Sequence, residues 1–394
     1  MPRLFTRDLV LLIICQGLFF TNNVTFIAVN GLVGMSLATV PWMATLPIMG
    51  YVIGGALSTA PVARTQSRFG RKKSFQFGLL TAVFSTLLCA LAVYIEQFWL
   101  LVGATVLAGY YSANGQLYRF AAAEVVDLSL RDKAISWVLA GGLIGAIIGP
   151  NLARYTKDAA GYPFMGAYIA LAVLAVVAMV AMSFIRFPDD TRTEAPKSSG
   201  RNLGEIARQP VFIVAALGAA FGYGIMNLLM AATPLAMEVD GFEFSDTATV
   251  LQWHVIGMFA PGFFTGALIK RFGVLEVMAA GTVLNFACIF IALSGTTYEH
   301  YLISLFLLGV GWNFLFTGST SLATRAHTPE ERDKAQGAIN FVTFVVMALS
   351  SFSSGALVTT QGWYWLNIGS LVPAAAVALA LLALFVRRAR SGRP

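Results

Sequence analysis

Charge is scarce in this chain. Asp, Glu, Lys and Arg make up 11% of its 394 residues, where a soluble domain carries about 25%. Histidine and cysteine occur three times each. Cys15, Cys89 and Cys288 stand in separate apolar runs, with no pair at metal-ligand spacing. That excludes a disulfide framework and a thiolate cage, and leaves reduced core residues. Strand-type alternation is absent. So are HExxH, a phosphate loop, a dinucleotide fingerprint in a usable context and a Ser/His/Asp set, so no enzyme and no permanently bound cofactor is expected. No Asp or Glu stands near the middle of an expected helix, which leaves no obvious carboxylate for proton coupling; His254 could titrate near neutral pH.

What is abundant is hydrophobic: 57% of the residues. They fall into twelve runs, near 8–34, 38–63, 74–95, 97–122, 133–156, 163–186, 211–237, 245–270, 274–295, 299–325, 333–358 and 364–386. Each approaches the ~20 residues a helix needs to cross a bilayer. Backbone groups in lipid must be paired within their own element, so the expected fold is an all-α membrane protein of twelve transmembrane helices. The first run is too long for a removable signal and lacks a small-residue cleavage site, so it counts as helix 1.

Basic residues collect in cytoplasmic loops. With both termini inside, only Arg154 and Lys157 of the 26 Lys and Arg lie outside, which favours that orientation in a bacterial inner membrane. The net charge of +7 then reflects anchoring in the lipid bilayer and not nucleic-acid binding. The outer loops carry Glu96, Asp158, Glu238, Asp240, Glu243, Asp246 and Glu299, a balance that would concentrate cations but also follows from the absence of Lys and Arg there.

The longest polar stretch, 187–210, divides a six-helix half at 1–186 from a second at 211–394. The halves echo one another. RDKA occurs at 131–134 and 332–335, and RFG at 68–70 and 271–273, each pair at matching places. Duplicated halves of this kind hold a solute near the midplane. Twelve helices, a 6+6 repeat, a central linker and the loop ARTQSRFGRKKS resemble the major facilitator superfamily over the whole chain. Arg68, Gly70, Arg71 and Lys72 match its loop motif, with Ala63 and Ser67 in place of the usual Gly and Asp. The resemblance implies alternating access, with Arg68 and Arg71 in a cytoplasmic gate. GLIGAIIGPNLA, with Gly142, Gly145, Gly149 and Pro150, is similar to a drug/proton antiporter signature, and is equally explained by close helix packing.

In GYGIMNLLMAATPLAM, residues 222–237, Met226 and Met230 lie one turn apart on one face, and QWHVIGM on the next helix repeats that spacing with His254 and Met258. At 1.5 Å per residue the first pair lies roughly 16 and 10 Å deep and the second roughly 13 and 20 Å. Thioethers suit Cu(I) and imidazole suits copper, while hard ions want oxygen. Pro234 and Pro261 each free a backbone carbonyl within a turn of this set. MxxxM followed by HxxxM in such a chain resembles the CcoA-like copper importers. The resemblance implies that Met226, Met230, His254 and Met258 bind copper as transported substrate, for cytochrome c oxidase assembly. Met237 is an accessory candidate and a copper chaperone a candidate partner. Polar and aromatic groups on the helices expected to line the path, Asn22, Asn23, Tyr111, Asn114, Arg119, Trp312 and Asn313, suit instead a flat organic solute such as riboflavin. Drug efflux is the third alternative.

Overall fold

The computed structural model describes residues 5–127, 130–187, 200–328 and 331–391, and contains no strand among them. The chain forms two compact units, Met1–Thr193 with Met237–Gln252, and Glu194–Ala236 with Trp253–Pro394. Half of the 187–210 linker, residues 188–199, lies outside the described residues.

The first unit opens with α1 (Arg7–Leu37), where the Thr6 side chain accepts from Leu9 N–H and caps the helix. After a short 3₁₀ turn, α2 (Leu46–Tyr94) runs for 49 residues. It comprises the expected second and third spans, joined at Gly70, whose φ of 79° and ψ of 166° break the helix. Then come α3 (Phe98–Gly115), α4 (Tyr118–Ala122), α5 (Arg131–Ala140), α6 (Gly142–Thr156) and α7 (Met165–Ser183). The expected fifth span is therefore divided at Gly141. Gly145 and Gly149 seat α1: a Cβ on Gly145 would lie 2.5 Å from Phe20 Cβ, and Thr25 Oγ1 donates to the Gly149 carbonyl at 3.0 Å. The Gly-Pro signature thus does packing work in this fold.

The second unit contains α8 (Leu203–Ala207), most of α9 (Pro210–Val239) and, after residue 252, the end of α10 (Phe244–Phe259). Next is α11 (Gly262–Phe272), bent by 43° from α10 at Ala260 and Pro261. The unit ends with α12 (Val274–Ser294), α13 (Tyr298–Ala323), α14 (Arg332–Thr360) and α15 (Gly362–Ser391). Nine helices among the described residues are long and apolar enough to cross a membrane, ten with the bent pair as one span. Dividing α2 at Gly70 and adding α3 with α4 gives the expected twelve.

The sequence repeat has a structural counterpart. Gly273, like Gly70, has positive φ, at 107°, and turns the chain from one span into the next. In both, the preceding arginine lies over the phenylalanine of the motif, Arg68 over Phe69 at 5.2 Å and Arg271 over Phe272 at 5.1 Å. The halves differ before RDKA, where the first has Leu130 and the second Glu331. Glu331 is 1% exposed. Its Oε1 accepts from Arg201 Nε at 2.9 Å and from the Arg201 backbone N–H at 2.8 Å, and its Oε2 accepts from Arg201 Nη2 at 2.7 Å. The Arg201 guanidinium, with help from Thr328 N–H, holds the Glu331 carboxyl well below the usual carboxylate range. Gln209 Nε2 also donates to the Ala326 carbonyl at 2.8 Å, so the start of the second unit is tied to the turn before α14.

Candidate functional site

An aromatic group gathers in the second unit about halfway along α9 and α13 and at the C-terminal end of α10. On α13, Trp312 and Phe316 are four residues apart and so share a face. Their rings stack, with centroids 5.2 Å apart and planes within 7°. Tyr223 of α9 sets its edge against both, at 5.2 Å from Trp312 and 5.5 Å from Phe316. Phe259 of α10 approaches Trp312 at 6.3 Å. Trp312 is 6% exposed while Tyr223, Phe259 and Phe316 are half-buried, so part of the cluster is accessible. Trp312 lies ~21 Å along the ~39 Å of α13, and Tyr223 ~20 Å along the ~45 Å of α9. The Trp312 Nε1 atom is buried and has no hydrogen-bond partner. An indole N–H buried without a partner is unusual, because such groups are ordinarily satisfied.

Met226, Met230, His254 and Met258 all belong to this unit and all are buried. Met226 and Met230 continue the face of α9 that carries Tyr223. His254 is fully buried, and its Nδ1 lies 2.6 Å from the Leu305 carbonyl. A carbonyl can only accept, so Nδ1 carries the proton and Nε2 presents a lone pair. That Nε2 has no partner. Helix α10 lies directly against α13 here, since a Cβ on Gly309 would fall 2.3 Å from the His254 carbonyl oxygen. Met237 is also buried but is grouped with the first unit, apart from the other four in that division. Among the described residues no three His, Cys, Asp or Glu side chains gather as a metal site.

Two of the expected cavity residues act as braces. Asn313 Nδ2 donates to the Met258 carbonyl at 2.7 Å, and its Oδ1 accepts from Thr265 Oγ1 at 2.7 Å. Both ends of the amide therefore hold the bent α10–α11 pair where Pro261 interrupts helical bonding. Asn114, 199 residues earlier, has the same duty: Oδ1 accepts from Ser74 Oγ at 3.0 Å and Nδ2 donates to the Tyr110 carbonyl at 3.0 Å. Both polar atoms of each amide are already engaged within the protein. Elsewhere in the first unit Asn22 is buried with Nδ2 unpartnered, and Asn23 is half-buried. Tyr111 is buried with its ring edge-on to Phe19 at 5.5 Å, and Arg119 lies over the Phe120 ring at 4.9 Å. Arg71 pairs with Glu124 at 2.5 Å, across from the loop that also holds Arg68.

The family model "Major Facilitator Superfamily" matches residues 9–273 and 247–394. The chain belongs to the major facilitator superfamily. Among curated proteins of this superfamily it is 38% identical to "Riboflavin transporter RfnT" of Brucella anthropi over 363 residues, covering 92% of this chain and 91% of that one. It is 26% identical to "Uncharacterized MFS-type transporter YdeG" of Bacillus subtilis over 370 residues, covering 90% and 85%. Among solved structures the nucleoside transporter NupG shares the fold, with a TM-score of 0.76 at 13% identity over 96% of this chain and 99% of that one. Facilitator membership supports the expected secondary transporter; none of these relatives is named for copper.

Trp312 was legible in the sequence as a cavity candidate; Tyr223, Phe259 and Phe316 were not singled out. The signal available was the four-residue spacing of Trp312 and Phe316. The meeting of α9 and α10 on α13 was not available from spacing.

Proposed function

We propose that this facilitator imports a flat, hydroxylated heteroaromatic solute of the riboflavin class, by alternating access across a bacterial inner membrane, with both termini cytoplasmic. The observation that carries the reading is the aromatic cluster of Trp312, Phe316, Tyr223 and Phe259, centred halfway along α9 and α13 at the end of α10. Aromatic faces bind planar rings by offset or edge contact, and ligand sites combine such walls with a few polar atoms. The similarity to a riboflavin transporter over nine-tenths of both chains supports the same solute class. In this reading the halves 1–186 and 211–394 rock about the 187–210 linker. Asn22, Asn23 and Tyr111 line the path from the first half, and Arg68 and Arg71 belong to the cytoplasmic gate, closed or opened through the Arg71–Glu124 pair. Saturable uptake of radiolabelled riboflavin by an expressing bacterial riboflavin auxotroph tests it. Trp312→Ala and Tyr223→Ala at equal membrane abundance are expected to lose most of that uptake. Absence of saturable uptake by the wild type removes the reading.

A second reading, copper import, is favoured by one observation: Met226, Met230, Met258 and a His254 with an unpartnered Nε2 are buried in the same unit. Radiolabelled copper accumulation, compared with Met226→Leu and His254→Ala, separates the two. A copper signal abolished by both variants, without riboflavin uptake, would reverse the ranking.

A further inference from the structure

Among the buried polar atoms of the second unit that lack partners, Trp312 Nε1 and His254 Nε2 stand on two of the helices, α13 and α10, that build the aromatic cluster. They are chemically opposite. Indole nitrogen can only donate, and the imidazole is fixed as an acceptor because Nδ1 is bound to the Leu305 carbonyl at 2.6 Å. Leaving either group unsatisfied in a membrane interior is costly, so a partner is expected during the working cycle.

The two atoms belong to one seam. Helix α10 follows α13 through three contacts: the His254 backbone at Gly309, the Phe259 ring at Trp312 and the Met258 carbonyl at Asn313. Leu305, which holds the imidazole, and Trp312 are seven residues apart, so they lie on the same side of α13 and about 10 Å apart along its axis. A single metal ion cannot touch groups at both ends of that interval. An elongated solute can, with its ring among the aromatic side chains at Trp312 and a polar extension toward His254.

Resting on the reading of planar-solute uptake, we propose that the solute is read at two points: Trp312 N–H donates to a ring carbonyl, and His254 Nε2 accepts from a hydroxyl of the side chain. His254 is then the residue that selects for the hydroxylated chain. Buried groups that expect a hydrogen bond discriminate against analogues lacking it.

Two conservative substitutions isolate these atoms. Trp312→Phe keeps an aromatic ring and deletes the N–H. His254→Asn retains a donor in the place of Nδ1, for the Leu305 carbonyl, and removes the Nε2 acceptor. The probes are riboflavin and lumiflavin, the same isoalloxazine ring with a methyl group in place of the hydroxylated chain, used as a competitor of radiolabelled riboflavin uptake in the full-length protein. His254→Asn is expected to raise the KM for riboflavin about tenfold, the scale of one lost hydrogen bond, while the lumiflavin inhibition constant stays at its wild-type value. Trp312→Phe is expected to weaken both ligands alike. Equal weakening of both ligands by His254→Asn would mark a merely structural histidine and overturn the assignment. So would wild-type constants in Trp312→Phe. A wild type that takes up no riboflavin overturns the solute reading itself, a result distinct from either variant pattern.

Discussion

At the scale of single residues, the asparagines separate bracing from binding. Asn114 and Asn313 sit on helices that line the path in this superfamily, and from sequence alone each suits a solute contact. In the structure each amide is engaged at both ends, Asn313 by the α10–α11 pair and Asn114 by Ser74 of α2 and the Tyr110 carbonyl of its own helix. Sequence reveals that a polar side chain is at membrane depth, but the direction in which it points depends on packing angles that spacing does not encode. Truncating Asn313 to Ala orphans the Met258 carbonyl, at about 1–3 kcal/mol for a buried group left unsatisfied, while the Thr265 hydroxyl keeps the Pro261 carbonyl as its acceptor. Asn313→Ala is therefore expected to lower the melting temperature of the purified protein, with Asn313→Ser retaining part of the loss. A riboflavin KM changed without any loss of stability would instead place Asn313 in the binding site. The methionines remain legible only as buried sulfur; Met226 and Met230 share a face with Tyr223 and are as well suited to packing against a ring as to holding an ion.

At the scale of elements, the repeat was written plainly in the sequence and the breaks were not. RFG at 68–70 and at 271–273 marks two turns where glycine takes positive φ with extended ψ, a region essentially confined to glycine that costs other residues about 1–3 kcal/mol. Gly70→Val and Gly273→Val are each expected to reduce folded yield and thermal stability by that order, measured on detergent-solubilised protein. Wild-type stability in both would mean that the backbone adopts another turn. The division of the fifth span at Gly141 and the bend at Pro261 were less legible, because apolar runs specify length and composition but not the helix axis. Ahead of α14, the Arg201–Glu331 pair supplies a pH-dependent element. Glu331 has its carboxyl pKa depressed in the folded state, so its contribution is fully present above the ordinary carboxylate value. It is lost as pH falls through the lower folded-state value. Glu331→Gln is expected to be less stable than wild type at neutral pH, with the gap narrowing only under strong acid. A gap that does not change with pH would assign the effect to shape and not charge.

For the whole molecule, class and architecture were carried by composition: little charge, twelve apolar runs and basic residues concentrated in alternate loops. These follow from lipid as solvent and are therefore visible without coordinates. The solute was not visible in the same way. Two short motifs, Met226/Met230 and His254/Met258, pointed to copper because soft donors at equal depth are chemically specific. The structure adds a feature that no linear motif holds, aromatic side chains from α9, α10 and α13 meeting around Trp312. That meeting is the central claim, and flavin fluorescence reads it directly, since stacking against indole and phenol rings quenches the emission. Riboflavin titrated with the purified full-length protein should show saturable quenching that Trp312→Ala abolishes and copper does not compete away. Equal quenching by the wild type and Trp312→Ala, or none by the wild type, would contradict the account.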